Sequence, residues 1–519
     1  METAIGSVIC AAFLNGGRRD AAASVVKVSK PWRMVMSAQY KTFADVAKAL
    51  GRTAPVNDKP VVCIQGLGFV GTAMAVAVAS AVDAKGEHCF NVIGVDLPNK
   101  LGQSKVDGIN TGALPIESTD KKLEDYFAKA YARGNLVATT DPAVYRLASA
   151  VMVDVHLDVI FGENEYDFAL AGFKNAIATL GQYINPDCLV VVETTVPPGT
   201  CVKVVVPTLE EAFRQRGLAK ESVLVAHSYE RVMPGSDYLD SIINFWRVYS
   251  GHTEAAAQRC EELLSKVINV AKYPLTRLHS TTASETAKVL ENSYRAMNIA
   301  FMEEWGRFAE AVGIDLFEVV NAIRKRPTHN NIRQPGFGVG GYCLTKDPLF
   351  ALLSTRKFYD MPELNFPFCT QAVKINQHMP LVTLDKVEAA MGGRLAGKRI
   401  LLMGVSYRQD VGDTRYSPAE AFVIQARKRG AEVICHDPLL DYWPELELPL
   451  SKEIPSPASA DVVVFALPHQ EYLQLDLGAW FGAAKPLVMD ANSVLNKQQR
   501  TQLREKGLRV MSIGRGEGL

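Results

Sequence analysis

Within Pro335-Gly336-Phe337-Gly338-Val339-Gly340-Gly341-Tyr342-Cys343-Leu344-Thr345-Lys346-Asp347-Pro348, a thiol, an ammonium and a carboxylate follow a glycine run. Cys343 is a candidate nucleophile, Lys346 a cation for a thiolate or a phosphate, and Asp347 a candidate base. The same residues would also suit a glycine-rich surface loop with an incidental cysteine. A second pair lies upstream, where Lys288 and Asn292 fall one helical turn apart on a face that continues through Arg295 and Ile299. An ammonium beside an amide suits a developing oxyanion or a held water, and equally a solvated helix face. The elements around these residues have to decide.

Lys288 and Asn292 sit in SETAKVLENSYRAMNIAFMEEWGRFAEAVG, which reads as one helix over 284–312, capped by Ser284 and ended at Gly313. Ala287, Leu290, Tyr294, Met297, Phe301, Trp305 and Phe308 recur at spacings of three and four, a stripe fit for a core or a subunit interface. Earlier, Pro60-Val61-Val62-Cys63-Ile64-Gln65 reads as a buried strand. It leads into Gly66-Leu67-Gly68-Phe69-Val70-Gly71 and an Ala/Val-rich helix. This is GxGxxG in its strand–turn–helix setting, with Gly66 for the turn, Gly68 for pyrophosphate approach and Gly71 for helix–strand contact. A second strand, 91–96, ends at Asp96, which can accept from both ribose hydroxyls and argues for NAD over NADP.

Further strands are expected at 136–141, 150–155, 189–192 and 223–226, with a helix at 123–134. Two loops at strand ends, 193–200 and 227–235, carry polar groups where doubly wound sheets bind ligands. From about residue 385 the alternation restarts, with strands at 398–404, 431–435, 461–467, 486–491 and 508–513. That second α/β domain lacks GxGxxG, and its turn Gly404-Val405-Ser406-Tyr407-Arg408 suits a nucleotide other than a dinucleotide. Arg408 and Arg415 are charges to meet its phosphates.

Composition excludes other classes. The 519 residues exceed one core, and 48% apolar with 22% charged content is ordinary for a globular protein. Lys+Arg and Asp+Glu are both 56, so no net field favours nucleic acid or an anionic membrane. Nine cysteines without a CxxC pair read as reduced cytoplasmic thiols, and neither cysteine nor histidine spacing suggests a metal. Residues 4–14 are a poor signal peptide and too short a span. Tyr40 to Leu50 has helical spacing and is expected to pack on the next domain.

The motifs VCIQGLGFVGTAMA, VETTVPPGT, SYERVMPG, AKVLENSYRAMNIAF, PGFGVGGYCLTKDP and VSYRQDVGDTRYSPA, in this order, resemble those of the UDP-glucose/GDP-mannose dehydrogenases, nucleotide-sugar 6-dehydrogenases, over about 58–515. The resemblance implies an α/β fold of two Rossmann-like doubly wound domains joined by a long central helix. Its expected limits are an extension 1–55, an NAD-binding domain 56–250, a central dimerisation region 251–384 with the Cys loop, and a nucleotide-sugar domain 385–519. It also implies oxidation of a sugar C6 from alcohol to carboxylate with two NAD, through a Cys343 thiohemiacetal and thioester. Lys288 and Asn292 would stabilise oxyanions and hold water, Asp347 assist proton transfer, and Glu230 and Thr195 act on substrate protons and hydrolysis.

By the same resemblance Gly66, Gly68, Phe69, Val70, Gly71, Asp96, Lys346 and Arg415 would hold the cofactor. Glu230, Arg231, Arg295, Gly338, Gly340, Gly341, Tyr407 and Arg408 would hold the sugar nucleotide. Pro234, where the UDP-glucose branch usually has a second acid, and ENSYRAMNIAF look like the branch acting on UDP-N-acetylglucosamine or UDP-N-acetylmannosamine. UDP-glucose and GDP-mannose stay open as substrates, as does a non-catalytic nucleotide-sugar binder. A homodimer or higher homo-oligomer in the cytoplasm is expected. Two features depart from the family: Val155-His156-Leu157-Asp158 replaces a Val-Pro-Thr-Pro type turn beside the nicotinamide end, and Asp83 to His88 is inserted before Asp96.

Overall fold

The computed structural model describes residues 40–55, 58–162, 166–232 and 235–516. The substrate argument from Pro234, and residues 1–39 of the extension, lie outside them. Two compact units emerge: residues to Ala287 with Lys357–Tyr359, and Lys288–Arg356 with the chain from Asp360.

The first unit holds an eight-stranded sheet. Its spatial order is Leu136–Thr139, Asn91–Val95, Val61–Gln65, Ala148–Val153, Leu189–Val192, Leu224–His227, Val248–Gly251 and Thr276–Arg277. All neighbours are parallel except Leu224–His227 against Val248–Gly251. The central strands are apolar on both faces, as a covered parallel sheet requires. Val62 and Ile64 enter one core and Val61 and Cys63 the other. The helix Phe69–Ser80, made of small apolar residues, is buried nearly all round. Lys121–Arg133 is amphipathic instead: Asp120 caps its first N–H groups, Gly134 ends it at φ 81°, and Leu123, Phe127 and Ala130 face inward.

The N-terminal helix Phe43–Ala49 carries a Thr42/Asp45 capping box and buries Phe43, Val46 and Ala47 in the second of these cores, as its spacing suggested. The sheet continues through Thr276–Arg277, so the expected limit at residue 250 falls inside the strand Val248–Gly251. No composition change marks the real end of this sheet, because its last two strands are short. The inserted Asp83 to His88 closes as a tight turn on the Asp83 carboxylate, which accepts from the Lys85 and Glu87 N–H groups.

The second unit contains a parallel sheet ordered Glu432–His436, Arg399–Met403, Val462–Phe465, Leu487–Asp490 and Val510–Ser512. Ile400 and Leu402 face one core, Leu401 and Met403 the other. The helix Pro367–Ala390 packs into the first of these through Leu384 and Val387. The long helix Thr281–Val312 crosses the division between units. It starts before the expected Ser284: Ser280 receives the Ala283 N–H, and Ser284 lies a turn inside. Five hydroxyl residues, Ser280, Thr281, Thr282, Ser284 and Thr286, fall within this stretch, so local pattern alone could not choose among them. Along this helix the apolar stripe is open: Leu290, Phe301 and Phe308 are 65%, 49% and 52% exposed. Among the described residues, no helix is long and apolar enough to cross a membrane.

Candidate active site

In the first unit the glycine loop is dictated by close backbone approach. Gly66 adopts φ 95°, and a Cβ there would stand 2.7 Å from the Asp154 carbonyl oxygen. A Cβ on Gly71 would run into the Gly66 carbonyl. Gly68 precedes Phe69 and Val70 at the helix start and receives no side-chain cap. Asp96 accepts the Leu67 N–H at 2.9 Å and the Leu97 N–H at 2.7 Å, and pairs with Lys105 at 3.0 Å. A carboxylate tied to the glycine turn at the end of the second strand fits the ribose of an adenine dinucleotide, and the side-chain-free glycine backbone ahead of the helix start fits its pyrophosphate. The departure Val155-His156-Leu157-Asp158 sets the His156 imidazole over this loop, with Nε2 3.5 Å from a Cβ placed on Gly68.

The two polar loops are stiffened from within. Thr194 donates through Oγ1 to the Val153 and Val155 carbonyls at 3.1 and 2.8 Å, leaving Thr195 half-buried beside it. Glu230 turns back to accept the Val232 N–H. Arg231 donates to the Trp246 carbonyl at 2.7 Å and to the Tyr229 hydroxyl at 3.2 Å, so its guanidinium braces the loop. Under them lies a buried group absent from the sequence reading: Arg247 donates to Glu193 at 2.5 Å. Burial first, then the Glu193 and Glu230 charges, lift the Asp154 carboxyl well above the usual range, against Arg247. Burial likewise pushes Glu193 up to about 7, opposed by Arg247. The available signal was an acid directly ending an apolar strand, at Val153-Asp154 and Val192-Glu193.

In the second unit, Cys343 is exposed on the short helix Tyr342–Lys346, which starts from Gly341 at φ 77°. Four residues on, buried Asp347 accepts Asn292 Nδ2 at 2.8 Å and Lys346 Nζ at 3.0 Å. Burial raises the Asp347 carboxyl, against the charges of Lys346 and Lys288 and the Asn292 bond. Lys288, Asn292 and Asp347, distant in sequence, thus form one buried group. Lys346 departs from its expected place on a cofactor phosphate. It is buried, engaged by Asp347, and lies 4.6 Å over the Phe350 ring, because the helix turn points it inward.

The glycines of this loop also make room for a neighbouring segment. Cβ atoms on Gly340 or Gly341 would meet Tyr407 at 2.7 and 2.9 Å, and on Gly338, at φ 141°, Pro418 at 3.0 Å. They let the Cys loop lie flat on 407–418. Burial, then the Asp413 and Cys343 charges, push the Tyr407 phenol up to about 12, while Arg408 is exposed. Arg415 is chelated by Asp413, Nε at 2.8 Å and Nη2 at 2.6 Å, and stacks 4.7 Å over Tyr342. Arg295 is exposed and belongs to a basic group with Arg324 and the likewise exposed Arg333; desolvation, then these two charges, lowers the Arg333 value.

Three domain profiles of the UDP-glucose/GDP-mannose dehydrogenase family match the chain: the NAD binding domain at 60–268, the central domain at 282–378 and the UDP binding domain at 401–497. A UDP-N-acetyl-D-mannosamine dehydrogenase of Methanocaldococcus jannaschii is 29% identical over 461 residues, 88% of this chain and 97% of that protein. The Escherichia coli enzyme of the same name is 29% identical over 426 residues, 79% of this chain and 94% of its own length. Among solved structures, an NDP-N-acetyl-D-galactosaminuronic acid dehydrogenase from Methanosarcina mazei superposes with TM-score 0.71 and 27% identity, covering 91% of this chain and 97% of its own. With its NAD-binding and UDP-binding domains and the Cys loop of its central region in place, the chain belongs to the UDP-glucose/GDP-mannose dehydrogenase family and is an NAD-dependent nucleotide-sugar dehydrogenase.

Proposed function

We propose that this enzyme oxidises the C6 hydroxyl of a UDP-N-acetylhexosamine to the carboxylate, with Cys343 carrying the carbon through a thiohemiacetal and a thioester. The observation that carries this is the buried group of Lys288, Asn292 and Asp347 in the unit that presents Cys343. The names of the relatives from M. jannaschii and E. coli support the N-acetylhexosamine. NAD, when bound against Gly66, Gly68, Phe69, Val70, Gly71 and Asp96, supplies the hydride acceptor.

The chain's own residues handle carbon, oxygen and protons. The Cys343 sulfur adds to the C6 aldehyde, and Lys288 with Asn292 holds the oxyanion that forms. Asp347, whose carboxyl burial raises against the Lys346 and Lys288 charges, gives and takes the proton there. Glu230 and Thr195 serve the alcohol proton and the water that opens the thioester. Lys346 steadies Asp347 rather than a phosphate. Arg295, Arg408 and Arg415, joined by Arg333, answer the diphosphate charge, while Arg231 and Tyr407 shape the sugar site and Gly338, Gly340 and Gly341 seat the Cys loop. The open stripe through Leu290, Phe301 and Phe308 supports a homodimer, tested by light scattering of the purified chain. The reduced thiols support a cytoplasmic setting, tested by fractionation.

The decisive assay incubates the enzyme with NAD and UDP-N-acetylmannosamine, UDP-N-acetylglucosamine, UDP-glucose or GDP-mannose and counts NADH per sugar consumed. Two NADH per N-acetyl sugar is the expected result, and Cys343→Ser stops acid formation while sugar-nucleotide binding persists. One NADH with free aldehyde, or acid made by the Ser variant at the normal rate, would end the covalent reading. Binding without turnover on every sugar would point to a non-catalytic binder.

A further inference from the structure

The loop that carries Thr195 is held at its far end by a residue with no place in the proposed chemistry. Glu285, in the first turns of the long helix, is fully buried at 0% exposure. Its Oε2 accepts the Gly199 N–H at 2.5 Å and its Oε1 the Cys201 N–H at 2.8 Å. From the other side the loop is bounded by Tyr359, whose hydroxyl would stand 2.6 Å from a Cβ on Gly199, itself at φ 96°. Thr200 closes the bend by donating to the Pro197 carbonyl at 2.6 Å. Residues 196–200 are all buried, and only Thr194 and Thr195 open outward. The neighbouring Ser284 hydroxyl meets His227 Nδ1 at 2.7 Å and Ser250 Oγ at 2.6 Å. His227 ends the strand from which the Glu230 loop departs, so one helical turn grips both loops.

A carboxylate sealed from water is a costly choice unless both oxygens are needed. Here each oxygen has one backbone donor, and an amide would turn its NH2 towards one of those N–H groups. We infer that Glu285 is a positioning residue, a latch that sets the conformation of the 194–201 loop and thereby of Thr195. The inference rests on the reading above that Thr195 acts in the reaction.

Burial pushes the Glu285 carboxyl up to about 7, against the Cys201 and Gly199 bonds that favour its ionised form. The groups facing it are the Cys201 thiol, the Tyr359 hydroxyl with Lys203 5.8 Å over its ring, and His227 through Ser284. The latch is therefore complete only above neutrality. Its stability contribution runs the other way: a raised acid value favours the fold below the unfolded value of about 4.5 and is lost as pH rises through 7.

The test compares wild type, Glu285→Gln, Glu285→Asp and Thr195→Ala as full chains with saturating NAD and UDP-N-acetylmannosamine. Glu285→Gln is expected to lower kcat about 10- to 100-fold with KM changed less than about threefold, and to remove the acid limb near pH 7. Glu285→Asp should restore part of kcat. Amide hydrogen exchange reads the latch without catalysis: Gly199 and Cys201 should exchange at least about tenfold faster in Glu285→Gln at pH 8. Unchanged exchange at those amides, or an intact acid limb, overturns the latch. If exchange accelerates but Thr195→Ala keeps full kcat, it is the role of Thr195 that fails.

Discussion

In the first sheet the turn glycine is Gly66, at φ 95°, donating its N–H to the Val95 carbonyl; in the second it is Gly404, at φ 97°, donating to the His436 carbonyl, both at 2.8 Å. A Cβ on either would stand 2.7 Å from the strand that follows in space, at the Asp154 carbonyl or the Leu467 Cβ. Each turn is then fastened by an aspartate at the end of the sheet's second strand. Asp96 takes one turn N–H, from Leu67, with the Leu97 N–H and Lys105 as its other partners, and its side chain keeps 10% exposure. Asp437 takes the N–H groups of Val405 and Ser406 and the Ser406 hydroxyl, at 3.0, 2.9 and 2.8 Å, takes the Leu439 N–H at 3.1 Å, and is sealed by His469 at 3.3 Å. The same glycine turn, fastened from the sheet's second strand, therefore ends in two chemistries. A carboxylate at the rim, held partly by an exchangeable lysine, can take ribose hydroxyls, whereas one saturated by buried donors is a structural clamp.

The largest effect that would break this comparison comes from a side chain at Gly71, which must enter the Gly66 carbonyl. Gly71→Val should weaken NADH binding at least about 100-fold by fluorescence titration while UDP-sugar binding stays near normal. Equal loss of both ligands would mean that the two turns do not divide the work. Next in size is Asp437→Asn, expected to cost about 2–4 kcal/mol in urea unfolding at pH 7 with the NAD affinity intact. Burial alone would raise the Asp437 carboxyl, but His469 and the Ser406 donors outweigh it and hold it below the usual range. Its contribution is therefore present above the unfolded value of about 3.9 and lost as pH falls through the lower folded value, so the gap between wild type and variant should close in acid. A gap that widens in acid would reverse the assignment. The smallest effect is Asp96→Asn: NAD should bind about tenfold more weakly, with stability changed by less than about 1 kcal/mol. Should Asp96→Asn instead unfold the protein like Asp437→Asn, the two aspartates would be the same device.

Much of this was legible in residue order because it is local. Strands such as 61–65, 189–192 and 462–465 are short apolar runs between turn signals, and GxGxxG names its own turn. Cys343, Lys288, Asn292 and Asp347 could be proposed from motif and helical spacing. What was not legible needs contacts between distant segments. Glu285 meets Gly199 and Cys201, Arg247 meets Glu193, and Lys346 turns inward, none of which periodicity encodes. Ser284 read as a cap because its hydroxyl precedes an apolar period; the neighbouring strands claim that hydroxyl instead.

By itself, then, the sequence determined the two α/β sheets, the turn glycines and the types of side chain available for catalysis, since alternation, φ preference and functional groups are properties of a few adjacent residues. Tertiary structure alone decided which charges are spent inside the protein. Asp437 and Lys346 are consumed by buried neighbours, Cys343 is exposed, Asp96 sits at the rim beside Lys105, and the apolar stripe of the long helix faces outward rather than into a core. The reason is desolvation: whether a charge serves ligand or fold depends on the water left around it, and that is set by segments far away in the chain.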